Sequence, residues 1–323
     1  MTTPSVSILL PVRNEARDID SCLESLEGQD YQGRIQIVAA DGRSDDSTGE
    51  RLDAWKDRLD LVVVDNPARV QADGLNLAAD LADGEILIRA DGHTVYPADY
   101  VRRNVEALLA TSAVAVGGLM RAVGDTPFSR AVAAAMGTPL AIGPGRFHHA
   151  TAAIDTDTVY LGAFRKSDFQ RLGSYRSYPS QVAEDADLYY RWRKAGESIR
   201  LDPAIESSYR PRRSIGGLWR QAFRWGAGKA EMLYTNGELP YLRPLIPLSL
   251  VLGLIGGLAL GGVFGVWWPL IVISAAWGSV LVLGAIMARH PGVVVAAATM
   301  HVAYGVGLIG GLLKGRRRSL PLR

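Results

Sequence analysis

An aspartate and a histidine separated by one glycine, Asp91-Gly92-His93, follow directly after the short, mainly apolar run 86–90. Such a run is typical of a parallel strand, whose carboxyl end faces the ligand-binding edge of an α/β sheet. There the carboxylate and the imidazole could share one divalent cation with phosphate oxygens and water. His148 or His149 could supply a third ligand, although two loop histidines are the simpler interpretation. Taken alone, Asp91-Gly92-His93 fits a polar turn equally well.

A second candidate site is Asp41, which opens the polar sequence Asp-Gly-Arg-Ser-Asp-Asp after the apolar run 35–40. Its carboxylate could accept hydrogen bonds from the ribose or the base N–H of a nucleoside. The alternative role is structural, because aspartate before glycine commonly caps a turn. Arg69, two residues after Pro67, is placed either to meet phosphate or to remain a solvated loop arginine.

Two further polar groups lie later in the chain. Glu184 and Asp185 begin a group of three carboxylates within four residues at the start of a predicted helix. The helix dipole favours negative charge there, so a well-capped helix is the alternative to a chemical role. Gln221, Arg224 and Trp225 lie close together on one face of a later helix. That helix also has the aromatic and basic residues of an amphipathic segment at a membrane interface.

Alternating apolar runs predict the elements that position these residues. Strands are expected at 6–12, 35–40, 61–64 and 86–90, with helices near 19–26, 52–59 and 70–81 between them. This alternation predicts a parallel α/β sheet whose right-handed crossovers bring the strands' carboxyl ends to one edge. Residues 13–15, 41–46 and 91–93 would gather there. The edge lacks a Gly-x-Gly-x-x-Gly fingerprint and a Walker-type sequence, which disfavours dinucleotide enzymes and P-loop NTPases.

Charge and hydropathy divide the chain unevenly. Residues 1–204 carry a net charge of −8, and residues 205–323 carry +10, so the overall charge of +2 hides two different halves. Asp, Glu, Lys and Arg are absent from 45 consecutive residues, 244–288, and from another 24, 290–313. Because about 20 apolar residues cross a bilayer, the first run is long enough for two helices and the second for one. The chain is therefore expected to be an integral membrane protein.

The domain plan follows from this division. A cytosolic domain is expected at 1–204, because the N-terminus has no signal-peptide pattern, and interfacial helices are expected at 205–243. The membrane region 244–313 would contain three segments, 245–264, 267–288 and 292–313, followed by a basic tail at 314–323. Three full crossings would place that tail outside, against the positive-inside tendency. Either one segment is re-entrant or the tail is an exception. The single cysteine, Cys22, fits a helix core and a reducing compartment.

Two features of the second half indicate membrane partners. A basic collar precedes the first apolar segment and suits a lipid diphosphate or ordinary anionic headgroups: Arg210, Arg212, Arg213, Arg220, Arg224 and Lys229. Glycines recur every four residues in the first apolar segment, at 253, 257, 261 and 265. Such a face favours close helix packing, within the chain or in a homo-oligomer.

In order and spacing, the motifs resemble those of the family 2 glycosyltransferases, most closely the succinoglycan-biosynthesis branch. The motifs are Pro-Val-Arg-Asn-Glu-Ala (11–16), Asp-Gly-x-Ser-x-Asp (41–46), Asp-x-His (91–93), Asp-Thr-Val-Tyr-Leu-Gly-Ala-Phe-Arg (157–165), Glu-Asp (184–185) and Gln-x-x-Arg-Trp (221–225). The resemblance implies an α/β fold of the GT-A nucleotide-diphospho-sugar transferase type, a mostly parallel sheet flanked by helices, followed by C-terminal transmembrane helices.

The resemblance also implies roles for single residues. Asp185 would be the catalytic base, with Glu184 beside it, and Asp91 and His93 would hold the metal. The nucleotide sugar would be bound by Pro11, Arg13, Glu15, Asp41, Arg69 and Asp91. The acceptor and the leaving diphosphate would be met by Gln221, Arg224, Trp225 and Arg220. Two departures stand out: Ala40 replaces an acidic residue of many relatives, and His93 replaces the second Asp of Asp-x-Asp. Because imidazole suits Mn²⁺ better than Mg²⁺, we expect Mn²⁺ to serve at least as well.

The implied activity is inverting transfer from a nucleoside-diphosphate sugar, a UDP-hexose, to a polyprenyl-diphosphate-linked saccharide. It would occur at the cytosolic face of the cell membrane, in exopolysaccharide or envelope glycan synthesis. No nucleic acid partner is expected. One alternative is an enzyme whose acceptor is the polyprenyl phosphate itself. Another is a non-catalytic membrane scaffold that binds nucleotide sugars and would tolerate loss of Asp185.

Overall fold

The computed structural model describes residues 3–143, 145, 148, 150–239 and 241–315 of the 323-residue chain. Its contacts divide the chain into two units. The first unit comprises Met1–Arg121, Arg146–Ser177 and Glu184–Tyr209. The second comprises Ala122–Gly145, Tyr178–Ala183 and Arg210–Arg323. Residues 316–323 of the expected basic tail lie outside the described residues.

The first unit is built on one sheet. Its strands in chain order are β1 (Val6–Val12), β2 (Ile35–Asp41), β3 (Leu61–Asp65), β4 (Ile86–Arg89), β5 (Ala115–Ala122), β6 (Ile154–Asp155), β7 (Tyr160–Arg165) and β8 (Ile199–Tyr209). Within the described part of the chain they form eight strands in the order β3-β2-β1-β4-β7-β5-β8-β6. Strands β3, β2, β1 and β4 are parallel, whereas β7 is antiparallel to β4 and β5 is antiparallel to β7.

The helices alternate with these strands and then follow them. In chain order they are α1 (Ile19–Glu27), α2 (Thr48–Trp55), α3 (Gln71–Leu81), α4 (Tyr100–Leu109), α5 (Pro127–Met136), α6 (Pro139–Ile142), α7 (Lys166–Leu172), α8 (Glu184–Lys194), α9 (Ile215–Asn236), α10 (Leu245–Phe264), α11 (Trp268–Met287) and α12 (Val293–Gly315). Helices α5, α6 and α9–α12 belong to the second unit.

Two apolar clusters cover the two faces of the sheet, because successive side chains of a strand point to opposite sides. Ile8 and Leu10 face one cluster, which includes the buried sides of α1, α2 and α4. Leu9 faces the other, which includes the alanine-rich side of α3 and the aromatic side of α8. Burial on both faces explains why the strands appear as continuous apolar runs rather than as alternating ones. It also leaves the polar loops at the strand ends exposed.

The mixed α/β fold with C-terminal apolar helices confirms the fold class expected from the sequence. The expected parallel strands are present as β1 to β4, and the later part of the sheet is antiparallel. The apolar residues 113–116 lead into β5, which begins at Ala115 and continues to Ala122. Two glycines interrupt its apolar pattern, and a Cβ on Gly118 would lie 1.9 Å from the carbonyl oxygen of Ile205. The boundary expected at residue 204 falls inside β8.

In the described part of the second unit, three helices are long and apolar enough to cross a membrane. They span 20, 20 and 23 residues and begin and end within two residues of the expected segments. Only 17% and 11% of the most apolar stretches of α10 and α11 are buried within the protein, against 44% for α12. Helices α10 and α11 therefore leave most of their apolar surface exposed, whereas α12 is covered more by other helices.

Glycines bring α12 into close contact with α9. A Cβ on Gly226 of α9 would lie 2.0 Å from the carbonyl oxygen of Tyr304, and one on Gly307 of α12 would lie 2.1 Å from that of Phe223. Further along, the Tyr234 hydroxyl donates to the carbonyl of Leu312 at 2.6 Å. Later residues of α9 thus meet later residues of α12, so the two helices run in the same direction.

The repeated glycines of α10 pack against α11 of the same chain. A Cβ on Gly257 would approach Leu270 to 2.9 Å, and one on Gly261 would approach the Trp267 ring to 2.4 Å. Gly265 instead ends α10 in the left-handed conformation, with φ +71°, as a glycine cap. The glycine face therefore packs within the chain, and a homo-oligomer formed through it stays a prediction.

Candidate active site

The loops that follow β1 and β2 are joined by hydrogen bonds. The Asn14 backbone N–H donates to Ser44 Oγ at 2.9 Å, and the Asp45 backbone N–H donates to Asn14 Oδ1 at 3.0 Å. The Glu15 N–H donates to Thr48 Oγ1 at 2.8 Å. Asn14 adopts φ +56°, which few residues other than glycine and asparagine adopt readily. The 13–16 and 41–48 loops are thus hydrogen-bonded to each other at the sheet edge that the sequence predicts.

The candidate nucleotide-binding residues lie in and around these loops. Asp41 Oδ1 accepts hydrogen bonds from the backbone N–H and the hydroxyl of Ser44, at 3.1 and 2.6 Å. This is the turn-capping geometry, and it engages one of the two carboxylate oxygens. Arg13 packs its stem over Gly42, and Pro11 lies against α3. Arg69 is exposed after β3 with φ +57°.

Asp91 and His93 lie in a turn after β4, closed by a hydrogen bond from the Thr94 N–H to the Asp91 carbonyl at 3.1 Å. The Asp91 side chain is buried, and its Oδ1 accepts from Gln71 Nε2 at 3.2 Å. His93 is about one-third exposed, and its Nδ1 lies 3.1 Å from Glu15 Oε1. The structure therefore brings Glu15 and His93 together, in addition to placing Asp91 and His93 on one short turn.

A buried ion pair connects this turn with the start of α8. The Arg89 guanidinium, at the end of β4, lies 3.2 Å from Glu184 Oε1 and 3.5 Å from Asp91 Oδ1. All three side chains are largely shielded from water. Burial raises the pKa of Glu184, and the positive charge of Arg89 opposes that rise. The sheet edge and the acidic helix start are thus parts of one cluster.

The other acidic residues of α8 differ in their surroundings. Asp185 is partly exposed, and its Oδ1 accepts from the Ala186 N–H at 2.6 Å at the helix start. Asp187 is fully buried, and its carboxylate pairs with Arg191 at 2.8 Å and Arg176 at 3.8 Å. Asp187 is therefore a structural residue, whereas Asp185 combines proximity to the cluster with access to water.

The Gln-x-x-Arg-Trp residues lie on α9 in the second unit. Arg224 donates from Nε to the carbonyl oxygen of Ser180 at 3.0 Å and from Nη2 to that of Gln181 at 3.2 Å. The Ser180 N–H donates to Glu231 Oε2 at 3.0 Å. Arg220 is exposed, and Gln221 and Trp225 are partly buried. The guanidinium thus restrains segment 178–183, which immediately precedes Glu184 in the chain.

The family follows from comparison with known proteins. The sequence model of glycosyl transferase family 2 matches residues 7–173, more than half of the chain. The chain belongs to this family. The succinoglycan biosynthesis protein ExoA of Rhizobium meliloti is 34% identical to this glycosyltransferase over 332 aligned positions, which cover 98% of each chain. A Methanococcus voltae enzyme, a dolichyl N-acetyl-glucosaminyl phosphate diacetamido-dideoxy-glucuronosyltransferase, is 25% identical and covers 71% of this chain and 74% of its own.

Two solved structures share the fold of this glycosyltransferase. The mannosyltransferase PcManGT of Pyrobaculum calidifontis, in complex with GDP-Man and Mn²⁺, has a TM-score of 0.63 and 21% identity, with 97% of this chain and 88% of that chain covered. Residues 1–349 of Staphylococcus aureus TarS, in complex with UDP-GlcNAc, have a TM-score of 0.54 and 14% identity, with 95% and 91% covered.

Asp91 and His93 carry a carboxylate and an imidazole, which are donor types that divalent cations such as Mn²⁺ accept. Among the described residues, no three His, Cys, Asp or Glu side chains converge as a complete metal site. His149 lies outside those residues. Two protein ligands nevertheless suffice for a cation held largely by substrate phosphates. A carboxylate on one ring nitrogen is typical of metal-binding histidines, and Glu15 provides it for His93.

Sequence patterns missed two residues of this glycosyltransferase. Arg89 lies within an apolar run and was not singled out. A charged residue inside a buried strand nevertheless indicates that an oppositely charged side chain lies next to it. That partner, Glu184, is 95 residues away in the sequence. Glu231 lies outside every motif, and only the fold reveals its bond to Ser180.

Proposed function

We propose that this glycosyltransferase transfers a hexose, with inversion, from a UDP-sugar to a polyprenyl-diphosphate-linked saccharide at the cytosolic face of the cell membrane. The observation that carries the proposal is the contact of Arg89 with both Asp91 and Glu184. It joins the turn suited to a metal-bound diphosphate with the helix start that carries Asp185. A donor site and a base for the acceptor would then be adjacent.

On the donor side, the joined loops after β1 and β2 would bind the nucleotide. The second oxygen of Asp41 is suited to the ribose or base, and Arg13 and Arg69 supply positive charge at the same sheet edge. Pro11 and Glu15 complete the set. TarS was solved with UDP-GlcNAc and PcManGT with GDP-Man, so nucleotide sugars of both kinds occur on this fold.

Asp91 and His93 would hold the divalent cation, Mn²⁺ at least as well as Mg²⁺. When bound, such a cation neutralises charge that develops on the leaving diphosphate. Glu15 would orient the His93 ring through Nδ1. The Mn²⁺ in the PcManGT complex supports a divalent cation in general.

Asp185 would accept the proton of the acceptor hydroxyl as it attacks the anomeric carbon from the side opposite the leaving diphosphate. Single displacement of this kind inverts the anomeric configuration. A general base must reach the hydroxyl that it deprotonates, and the partial exposure of Asp185 permits this. Glu184, buried against Arg89, would act by positioning.

A lipid-linked acceptor is supported by the membrane helices and by the relatives. The name of the Methanococcus enzyme describes a dolichyl-phosphate-linked saccharide acceptor, and ExoA belongs to succinoglycan biosynthesis. The basic residues of the collar suit a lipid diphosphate. Gln221 and Trp225 of α9 are the candidate contacts with the acceptor, and Arg220 and Arg224 with the leaving diphosphate.

The test is transfer by the purified full-length chain. UDP-glucose, UDP-galactose, UDP-GlcNAc and GDP-mannose are each incubated with undecaprenyl-diphosphate monosaccharides or with undecaprenyl phosphate, and products are read by mass spectrometry. Transfer to a diphosphate-linked saccharide supports the proposal. Transfer to undecaprenyl phosphate alone would replace it with the lipid-phosphate reaction, and no transfer by the wild type would overturn it.

The base is tested with Asp185→Asn, which we expect to lower turnover by about 10² to 10⁴-fold. Asp155→Asn is the matched control, because Asp155 is an exposed residue of the same unit. A loss of less than about tenfold for Asp185→Asn would exclude the assignment. For the metal, EDTA should abolish turnover and MnCl₂ should restore it.

A further inference from the structure

Arg89 is a charged residue in the interior of the first unit. It is the last residue of β4, its neighbours in the strand are apolar, and its side chain is only 8% exposed. Its Nη atoms face Glu184 and Asp91, while its Nε has no hydrogen-bond partner. Removing a guanidinium from water is costly unless its partners are well placed. A purely structural position would be filled more favourably by an apolar side chain.

Three carboxylates surround this one cation. Glu184 and Asp91 are in direct contact with it, and Asp185 also acts on Arg89 electrostatically. Gln71 holds the other side of Asp91 by a hydrogen bond at 3.2 Å. A planar guanidinium can donate to two carboxylates at once in fixed directions, which a lysine ammonium cannot do with the same geometry.

We propose that Arg89 is a positioning residue that fixes Asp91 and Glu184 relative to each other. This inference rests on the proposed function, because Asp91 is there a metal ligand and Glu184 is the neighbour of the base. By holding both carboxylates, Arg89 sets the separation between the site of the leaving diphosphate and the start of α8. Errors of about 1 Å in such a separation cost about 10²-fold in rate.

The inference predicts a change in turnover without a matching change in donor binding. Arg89→Lys retains the charge but cannot hold both carboxylates, so we expect kcat to fall by about 30-fold while KM for the donor changes less than about threefold. Arg89→Gln should lose more than Arg89→Lys. Glu184→Gln, which weakens one side of the same contact, should combine with Arg89→Lys less than additively.

The experiment uses the full-length chain with the donor and acceptor that turn over for the wild type. Calorimetric titration of UDP in the presence of MnCl₂ counts the folded, binding-competent fraction of each variant, so loss of folding is separated from loss of turnover. Arg34→Lys is the matched control, because Arg34 also bridges two carboxylates, Asp60 and Asp83, but at an exposed position of the first unit away from the site. If Arg89→Gln does not fold, the role is tested with Arg89→Lys and Glu184→Gln alone.

The results distinguish the positioning role of Arg89 from the proposed transfer reaction. Reduced kcat with unchanged UDP binding and non-additivity with Glu184→Gln supports the positioning role. Full turnover in Arg89→Lys, while Asp185→Asn and Asp91→Asn are inactive, overturns that role and leaves the proposed function standing. If turnover falls only in proportion to the fraction of protein that binds UDP, the positioning role is also overturned. Full activity of Asp185→Asn and Asp91→Asn would instead reject the proposed function.

Discussion

Arg89 of the first unit and Arg224 of the second use the same side chain in opposite ways. Arg89 is buried and faces two carboxylates, so its positive charge balances negative charge that is shielded from water. Arg224 is exposed and donates to two backbone carbonyls, so it restrains the backbone through the directions of its N–H groups rather than through its charge. Burial decides the difference, because a charge without a partner is costly in the interior and cheap in water.

The largest expected effect of this difference is on stability. Arg89→Met leaves Glu184 and Asp91 buried without their cation, so we expect the free energy of unfolding to fall by about 3–5 kcal/mol. Arg224→Met should change it by less than about 1 kcal/mol. Urea unfolding of the full-length chain in detergent, followed by tryptophan fluorescence, measures both. Equal destabilisation by the two changes would contradict the comparison.

The Glu15–His93 pair is intermediate in burial between Arg89 and Arg224. Glu15→Gln removes the charge that orients the imidazole, and we expect Mn²⁺ affinity in the presence of UDP to fall by about 10- to 100-fold. Calorimetry measures this without any turnover. Glu50→Gln, at an exposed position of α2, is the control and should bind Mn²⁺ as the wild type does. Unchanged affinity in Glu15→Gln would remove Glu15 from the metal site.

For Arg224 the expected effect is local. Arg224→Lys retains the charge but cannot reach the Ser180 and Gln181 carbonyls together, so amide exchange in 178–183 should rise about tenfold, about 1.4 kcal/mol. Hydrogen–deuterium exchange with mass spectrometry measures it. Arg220→Lys, one turn earlier on the exposed side of α9, is the control. Exchange that does not change in Arg224→Lys would show that the charge alone matters at this position.

The smallest effect is expected for a pair at the surface, Asp125 and Arg213, whose side chains are about half exposed. Hydrogen bonding to Arg213 lowers the pKa of Asp125 to about 2. Because the folded pKa lies below the ordinary value of 3.8, the pair contributes stability above about pH 4 that is lost as the pH falls through about 2. Melting temperatures of the wild type and Asp125→Asn should therefore converge between pH 4 and pH 2. A constant difference would contradict the assignment.

Local patterns were sufficient for the parallel half of the sheet. Strands β1 to β4 are short apolar runs separated by helical periodicity, so each element could be inferred from its own residues. The antiparallel half was harder, because β7 pairs with β4 across more than seventy residues and Gly117-Gly118 interrupts the pattern of β5. No local signal specifies such a pairing.

The candidate site divides in the same way. Asp41, Asp91 and His93 follow strand ends, so the sequence could place them at one edge. Glu15 next to His93, and Arg89 between Asp91 and Glu184, depend on side-chain contacts between distant residues. The contact of Arg224 with segment 178–183 also required the fold, because the motif alone names the residue and not the atoms that it meets.

The parallel packing of α9 and α12 bears on the sidedness of the C-terminus. Tyr234, near the end of α9, contacts Gly315 and bonds to Leu312 at the end of α12. The last described residues of the chain therefore emerge beside the connection that leads from α9 into α10. Three complete crossings would leave these two points on opposite faces of a bilayer. Their contact therefore favours a re-entrant segment over three complete crossings, and the accessibility of a C-terminal tag to protease in intact cells tests this.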